Sequence, residues 1–417
     1  MEYEKFTETV SKFWGLTRED KLKLGEENIH WLENKYVSQF YVNNVISGDP
    51  NKNWLIYVGQ EYFKEPVDLG LSIGCGDGCL ERHALKLDIC KRFEAFDISE
   101  EAIGKAKLLI IQENLSDRVS YGVLDFNVAK LKENYYDVIF AAASVHHIMN
   151  IEFLFEQVNR ALKQEGLFII NEYVGPSQFQ WREKQCEFVN RILGVLPVQF
   201  KSSLDKDYGR IKETIEKVSK EIMDLTDPSE AIRSEEIIPL FYGSFDVIEK
   251  IEFGGTILHP LFHKIVGNFD INNEKDKAIL DLIFMLEQVL LKEGIISSDF
   301  ALLIGRKKTS GTQFDEYKIL EKEKPVVARL PVNESEAEEY KRVKELLREK
   351  DAKIIQLEKA LEEIQDTQEE IQTSVGWQII SRYRRIKDKL LPAMTLRRKT
   401  YDSVLNIVKD HKKQYLG

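Results

Sequence analysis

Apolar and polar positions alternate along this chain in a way that predicts a parallel sheet covered by helices. Between about residues 67 and 175, short apolar runs are separated by amphipathic stretches with helical spacing. The runs are LGLSIG, RFEAFDI, VSYGVLDF, YDVIFAAAS and GLFIINEY, and the stretches between them include CLERHALKL, SEEAIGKAKLLIIQENL and IEFLFEQVNRALKQ. This alternation predicts a doubly wound α/β fold. Two later runs, FDVIEKIEF (245–253) and DFALLIGRK (299–307), are predicted to complete the sheet, with helical insertions at about 177–235 and 256–297.

A different pattern begins near residue 334. From Tyr340 to Val375, apolar residues recur at alternating spacings of three and four, which is typical of a coiled coil. Lys350 and Gln368 interrupt the core positions and could fix the register or the number of strands. The alternative is a single charged helix packed on its own domain. We expect a coiled coil that makes the protein a homo-oligomer.

The last segment is basic and amphipathic. Residues 377–400 carry eight Lys/Arg and one acid, Asp388, with Trp377 and apolar residues at roughly helical spacing. A cationic helix with an aromatic end is suited to an anionic membrane surface. Nucleic acid is the electrostatic alternative, but the sequence lacks a folded RNA-binding motif. We expect peripheral contact with the inner face of a membrane and no nucleic-acid partner.

These patterns divide the chain into five segments. They are an N-terminal helical cap (1–65), an α/β domain with helical insertions (66–308), a linker (309–333), a coiled coil (334–375) and a basic amphipathic tail (376–417).

Composition narrows the class of protein. A formal net charge of −11 argues against a nucleic-acid binder, since phosphate contacts require a cationic face. No apolar run approaches the length needed to span a bilayer. The polar start MEYEKFTETV does not resemble a secretory signal, so we expect a cytoplasmic protein with reduced thiols. Cys75 and Cys79 lack the second ligand pair of a zinc site, and no structural metal is expected.

The candidate chemistry centres on a glycine turn. Gly74, Gly76 and Gly78 follow an apolar strand and open a helix, where glycines let backbone amides approach a ligand closely. A dinucleotide fingerprint would need its third glycine at position 79, which is Cys79. The spacing is therefore G-x-G-x-G.

Acidic residues follow at the ends of the next two strands. Asp97 is placed to accept hydrogen bonds from two ribose hydroxyls. Asp125 could accept from an adenine amine, and Phe126 could cover the ring. Alone, each aspartate is also typical of a turn or a helix N-cap.

In these features the chain resembles class I S-adenosylmethionine-dependent methyltransferases. The matching segments are the glycine turn, FDIS with Asp97, LDFN with Asp125, YYDVIFAAASVHHI and LKQEGLFIINEY. The resemblance implies a Rossmann-like seven-stranded sheet with an antiparallel final strand and S-adenosylmethionine across the carboxyl ends of the first strands. It implies cofactor contacts from Ser72, Gly74, Cys75, Gly76, Gly78, Asp97, Ile98, Asp125, Phe126 and Ala142. Ser72 stands where members of this family usually have an acidic residue.

A closer resemblance is to bacterial methyltransferases that accompany surface-polysaccharide glycosyltransferases. It rests on WLENKYVSQFYVNNVISGDP, NEYVGPSQFQW and GGTILHPLFHKIVGNFD. This resemblance implies a saccharide or lipid-linked glycan as the methyl acceptor.

A hydroxyl acceptor needs a nearby base as well as alignment with the methyl donor. His146 and His147 follow the fourth strand on the edge that carries the glycine turn, and histidine is the usual base near neutral pH. Glu172, just after the fifth strand, could accept from the substrate or from the base. The alternatives are a packing or capping role for the histidines and a surface ion pair for Glu172.

Further residues are predicted to contact the acceptor. Tyr173, Trp181 and Arg182 follow the fifth strand, and His259 follows the sixth. Trp181 is equally typical of core or lid packing. His259 and His263 have a spacing that could suit a metal, but Pro260 disturbs the helix and a third ligand is lacking, so no metal is expected.

The leading hypothesis is an O-methyltransferase acting on a saccharide or surface-glycan intermediate. The alternatives are a catalytically weak scaffold that recruits glycan-assembly enzymes to the membrane, and a methyltransferase for a small metabolite.

Overall fold

The computed structural model describes residues 6–7, 9–11, 13, 30–204, 208–215 and 219–308. The predicted linker (309–333), coiled coil (334–375) and basic tail (376–417) lie outside the described residues. In the described part of the chain, no helix is both long enough and apolar enough to cross a membrane.

The described residues form one seven-stranded mixed sheet with the order β3-β2-β1-β4-β5-β7-β6. The strands are β1 (Val67–Ile73), β2 (Cys90–Asp97), β3 (Val119–Val123), β4 (Tyr136–Ala142), β5 (Leu162–Tyr173), β6 (Phe245–Gly254) and β7 (Phe300–Lys307). Strands β1 to β5 pair in parallel, whereas β7 runs antiparallel to both β5 and β6. The predicted Rossmann-like sheet with an antiparallel final strand is confirmed.

Helices connect and cover the strands. The α-helices are α1 (Asn44–Ser47), α2 (Trp54–Tyr62), α3 (Cys79–Lys86), α4 (Glu100–Gln112), α5 (Ile151–Ala161), α6 (Glu183–Val195), α7 (Lys220–Thr226), α8 (Ile237–Ser244), α9 (Leu258–Phe262) and α10 (Glu274–Lys292). A π-helix precedes α1 at Val37–Asn43. Short 3-10 turns lie at Trp31–Glu33, Val145–His147, Ser177–Phe179, Val198–Phe200, Ser234–Glu236 and Val266–Asn268. Helices therefore occupy both predicted insertions.

Both faces of the sheet are buried. Along β4, Val138 and Phe140 enter one apolar cluster, and the intervening Ile139 and Ala141 enter the other. A strand alternates its side chains between the two faces, so a continuous apolar run is what a doubly covered strand requires. Because β1, β2 and β4 run parallel, their carboxyl ends meet at one edge of the sheet, where the candidate site lies.

Two predicted boundaries are wrong. Strand β3 ends at Val123 rather than at Asp125 and Phe126, which lie in the following turn. The predicted helix over 151–164 ends at Ala161, and Leu162 already begins β5 by pairing with Tyr136 across an irregular register. Strand pairing supplied by the tertiary fold overrides the local helical preference of LKQ.

Candidate active site

The glycine turn joins β1 to α3 in a conformation that favours glycine. Gly74, Gly76 and Gly78 all have positive φ angles, of 62°, 54° and 76°. A Cβ on Gly74 would lie 2.5 Å from the Cβ of Ser144, whereas a Cβ on Gly76 would meet nothing within 4 Å. The turn is thus packed against the β4 loop at its first glycine and open at its second.

Asp97 holds the turn from the end of β2. Its Oδ2 accepts a hydrogen bond from the Gly76 amide at 2.9 Å, and its Oδ1 accepts from the Ser99 amide at 2.9 Å. The side chain is largely buried. A carboxylate oxygen has more than one acceptor direction, so these bonds leave capacity for ligand hydroxyls. The predicted juxtaposition of Asp97 with the glycine turn is what the structure contains.

A cavity of about 270 Å³ lies beside this turn. Its lining includes four of the predicted cofactor residues: Ser72, Gly74, Cys75 and Ala142. The remaining lining residues are Asn53, Trp54, Leu55, Cys79, Leu80 and His83. The start of α2 thus contributes a wall that the sequence patterns did not indicate.

The other predicted cofactor residues have local partners. Asp125 Oδ1 accepts from the Asn127 backbone amide at 2.9 Å and from its side-chain amide at 3.0 Å, which is a turn geometry. Phe126 is buried in the core and meets Phe96 edge to face. The carbonyl of Ile98 accepts a hydrogen bond from the Ser11 hydroxyl at 3.2 Å. Contacts of these residues with adenine remain predictions.

A buried carboxylate that the sequence patterns did not single out lies beneath the turn. Glu81, in the first turn of α3, is fully buried. Burial raises its pKa to about 7, and the neighbouring Ser72 side chain opposes that rise. Ser72 itself occupies the position where the resemblance to methyltransferases implies an acid. The Glu81 carboxyl group therefore lies next to Ser72, which has no carboxyl group of its own.

This burial gives stability a specific pH dependence. Because the pKa of Glu81 is raised in the folded state, folding binds a proton between about pH 4.5 and 7, and stability falls as pH rises through that window. We expect Glu81→Gln to remove about 3 kcal/mol of this loss between pH 5 and 8. Urea unfolding of the wild type and the variant at both pH values measures the difference. Glu101→Gln, on α4, is the matched control, and an equal pH dependence in all three proteins would contradict the expectation.

His146, two residues after Ser144, forms a buried pair with Glu172 of β5. His146 Nδ1 lies 2.6 Å from Glu172 Oε2. Glu172 Oε1 accepts from the backbone amides of Ser144 at 2.5 Å and Val145 at 2.6 Å. Burial lowers the pKa of His146, but the Glu172 and Glu230 carboxylates raise it by more, so the net shift is upward. The predicted histidine and carboxylate are thus in direct contact.

The second histidine has a partner set of its own. His147 Nδ1 lies 3.1 Å from Ser229 Oγ, and that hydroxyl donates to Asp227 Oδ1 at 2.6 Å. Glu230 Oε1 lies 3.7 Å from His146 Nε2. Residues 227–230 come from the loop after α7, and no motif or periodicity in the sequence marks them. Within the described residues, one possible ligand atom each from His146, His147 and Glu230 lie within 4.8 Å of one another.

An aromatic cluster adjoins the histidine pair. It contains three predicted acceptor contacts, Tyr173, Trp181 and His259, whose rings lie 5.5 to 6.5 Å apart by centroid. All three are buried, and Tyr173 donates its hydroxyl to the Pro176 carbonyl at 3.0 Å. His146 meets Tyr173 edge to face at 6.4 Å. Direct contact of these rings with an acceptor stays a prediction.

Two residues at the margin of this cluster differ in character. Arg182, half-exposed, holds its guanidinium 3.6 Å from the buried Asp299 carboxylate. The ring centroids of His30 and His259 lie 5.8 Å apart. Burial, together with the charge of nearby His146, lowers the pKa of His30 to about 4. Burial likewise lowers the pKa of His259 well below its ordinary range. His30 and His259 are therefore neutral at physiological pH.

Part of the chain is similar to known proteins. Residues 71–170 match a family model described as a methyltransferase domain. A sterol 24-C-methyltransferase of Saccharomyces cerevisiae is 29% identical over 107 residues, which are 26% of this chain and 28% of that protein. A human mitochondrial arginine-hydroxylase is 30% identical over 114 residues, 27% of this chain and 31% of that protein. A geranyl diphosphate methyltransferase structure with sinefungin aligns over 73% of this chain and all of its own, at 11% identity and a TM-score of 0.44. The chain thus spans less than a third of the length of these curated relatives.

Proposed function

Because residues 71–170 match a methyltransferase domain, we propose that this protein transfers the methyl group of S-adenosylmethionine to a hydroxyl oxygen of its acceptor. The observation that carries the proposal is the glycine turn held by Asp97 at 2.9 Å. One curated relative is named for hydroxylation, so similarity to this domain does not define the reaction. We therefore propose the reaction from the geometry of the site.

The donor side fits S-adenosylmethionine. The open space over Gly76 admits the close approach of a ligand, and the adjoining Asp97 carboxylate supplies acceptors for ribose hydroxyls. Ser72, Cys75 and Ala142 would contact the remainder of the donor along the cavity. The bound donor supplies an electrophilic methyl group on a sulfonium, and the protein has to align the acceptor in line with it.

The acceptor side favours an oxygen nucleophile. A hydroxyl must lose its proton as the new bond forms, and this requires a polar group placed at the acceptor. His146 follows Ser144, which packs against Gly74 of the glycine turn. Glu172 contacts His146 and accepts from the Ser144 amide, so it fixes the orientation of the His146 ring. With Nδ1 directed at Glu172, the lone pair is on Nε2, which lies 3.7 Å from Glu230 Oε1 on the side that we assign to the acceptor. Activation of the hydroxyl is therefore assigned to the histidine pair.

For the acceptor class we propose a saccharide or surface-glycan intermediate, on the basis of the sequence resemblance described above. Tyr173 lies beside His146, but its ring and that of Trp181 are buried, so the acceptor class is proposed from the resemblance alone. A small-metabolite acceptor is the second candidate, and it is favoured by the relative named for sterol methylation. The proposed homo-oligomer and the peripheral attachment at the inner membrane face concern residues 334–417.

Labelled methyl transfer tests the proposed function. The full chain is incubated with methyl-labelled S-adenosylmethionine and with separated fractions of lipid-linked saccharides, small metabolites, protein and nucleic acid. We expect alkali-stable label in the saccharide fraction, since a methyl ether resists base whereas a methyl ester does not. Label confined to small metabolites would support the second candidate instead.

The remaining outcomes of this assay are also informative. Label only in protein or nucleic acid would overturn the acceptor assignment. Binding of the donor without label in any fraction would favour the scaffold hypothesis over an active enzyme.

A further inference from the structure

We propose that His146, His147 and Glu230 bind a divalent transition-metal ion next to the methyl-donor site. This replaces the expectation from the sequence that the protein holds no metal. Binding of the ion stands on the geometry of these side chains, whereas its role toward the acceptor rests on the proposed function.

The possible ligand atoms of His146, His147 and Glu230 lie close together. One possible ligand atom from each of the three side chains lies within 4.8 Å of the other two, and His146 Nε2 is 3.7 Å from Glu230 Oε1. Two ligands of one zinc ion, at bond lengths near 2.1 Å, are separated by about 3.4 Å in tetrahedral geometry. The His146 and Glu230 atoms therefore need to approach by only a few tenths of an ångström. The two imidazole rings are adjacent, with centroids 4.0 Å apart.

The outer partners of both histidines are those of a metal site. Histidine ligands commonly donate their second ring N–H to a carboxylate or another acceptor, which fixes the tautomer and the orientation of the ring. His146 directs Nδ1 at Glu172, and His147 directs Nδ1 at Ser229, which is backed by Asp227. In both cases the arrangement assigns the lone pair to Nε2.

The charge of the surroundings favours a cation. Three carboxylates, those of Glu172, Asp227 and Glu230, surround the two imidazoles, and their side chains are 0%, 5% and 25% exposed. Carboxylates at this range favour a cation bound between the two rings.

The donor set indicates which ion. Two imidazoles and one carboxylate form the ligand set of catalytic zinc sites, which keep a further position open. Magnesium and calcium prefer oxygen ligands and are disfavoured by this set. Zinc is accordingly the ion of choice for the test.

The open position gives the ion a role in the transfer. An acceptor hydroxyl bound there is acidified and releases its proton to water. Its lone pair then forms the O–CH3 bond, and the electrons of the S–CH3 bond remain on sulfur, which leaves S-adenosylhomocysteine. In this account His146 acts as a ligand of the ion rather than as the general base.

Metal content measured without donor or acceptor tests the site. Untagged full-length protein is loaded with Zn²⁺, dialysed against metal-free buffer and analysed by mass spectrometry of the metal. We expect about one zinc per chain in the wild type and at least a fivefold loss in His147→Ala and in Glu230→Gln. Glu172→Gln is expected to bind zinc roughly 10–100-fold more weakly. His83→Ala, which removes a histidine outside the trio, should retain the metal.

The result that overturns the proposal is equally defined. It is wrong if the wild type retains no more zinc than Glu230→Gln, or if His83→Ala loses as much as His147→Ala. Glu230 is partly exposed, so its variant should fold, and circular dichroism verifies this. Chelated protein that methylates its acceptor at the wild-type rate would remove the ion's role in the transfer. Absence of methylation with zinc bound would instead count against the proposed function.

Discussion

Replacing Asp97 with Asn is expected to weaken binding of S-adenosylmethionine by at least about 100-fold, which corresponds to about 3 kcal/mol. The carboxylate accepts from the Gly76 amide, and an Asn amide turned toward that N–H would oppose two donors. The variant also loses charge-assisted hydrogen bonds to the ribose, each worth roughly 1.5–3 kcal/mol. Isothermal titration with S-adenosylmethionine measures the dissociation constant of each protein.

The control for this variant is an aspartate at the opposite end of the neighbouring strand. Asp68, at the start of β1, is exposed and paired with Lys91 at 2.7 Å, far along the strand from the turn. Asp68→Asn should bind the donor as the wild type does. An Asp97→Asn protein that binds within threefold of the wild type would show that the donor does not use this carboxylate.

Replacing Glu172 with Gln is expected to lower turnover by about 1,000-fold, with the donor affinity nearly unchanged. Glu172 accepts from two backbone amides through one oxygen and contacts His146 through the other. A glutamine has to present its NH2 group either to the amides or to His146 Nδ1–H, so one side of this arrangement loses its acceptor. His146 is then no longer held in the orientation that places Nε2 next to Glu230.

This second variant also carries a cost in stability. Removing one partner of a buried ion pair typically lowers the free energy of unfolding by about 3–5 kcal/mol. Rapid kinetics with saturating donor separates turnover from folding once thermal unfolding has established that the variant is folded. Glu252→Gln on β6, whose carboxylate is partly exposed and pairs with Lys250, is the control. Turnover by Glu172→Gln within tenfold of the wild type would contradict the role given to the pair.

The core of the fold was predictable because its signal is local. The central strand β4 and the second half of β5 are continuous apolar runs, which burial of both faces of the sheet requires. The ends of strands were less predictable. Leu162 lies in β5 because Tyr136 pairs with it, and no property of the segment LKQ reports that distant partner.

The candidate site divides in the same way. The glycine turn and Asp97 could be identified because spacing along one βαβ unit fixes their relation in space. Glu230 and Ser229 could not, since a loop about 80 residues after His147 brings them to the histidines. His30 reaches the same region from the N-terminal side, also without a motif. Contacts made only by the tertiary fold leave no periodicity in the sequence.

Glu81 illustrates an intermediate case. Its place in the first turn of α3 was predictable from the helix that follows the glycines, but its complete burial beside Ser72 was not. An acid at a helix start is usually favourable at the surface, near the positive end of the helix dipole. Only the packing of α3 against the sheet turns it inward, and this packing gives Glu81 its raised pKa.

Equilibrium dialysis of the wild-type chain against labelled S-adenosylmethionine tests the central claim most directly, because the proposed methyl transfer requires the donor to occupy the glycine turn. The account predicts saturable binding of about one molecule per chain, with a dissociation constant in the range of roughly 1 μM to 1 mM that is usual for enzyme substrates. Binding that stays linear and unsaturated through millimolar donor would contradict it.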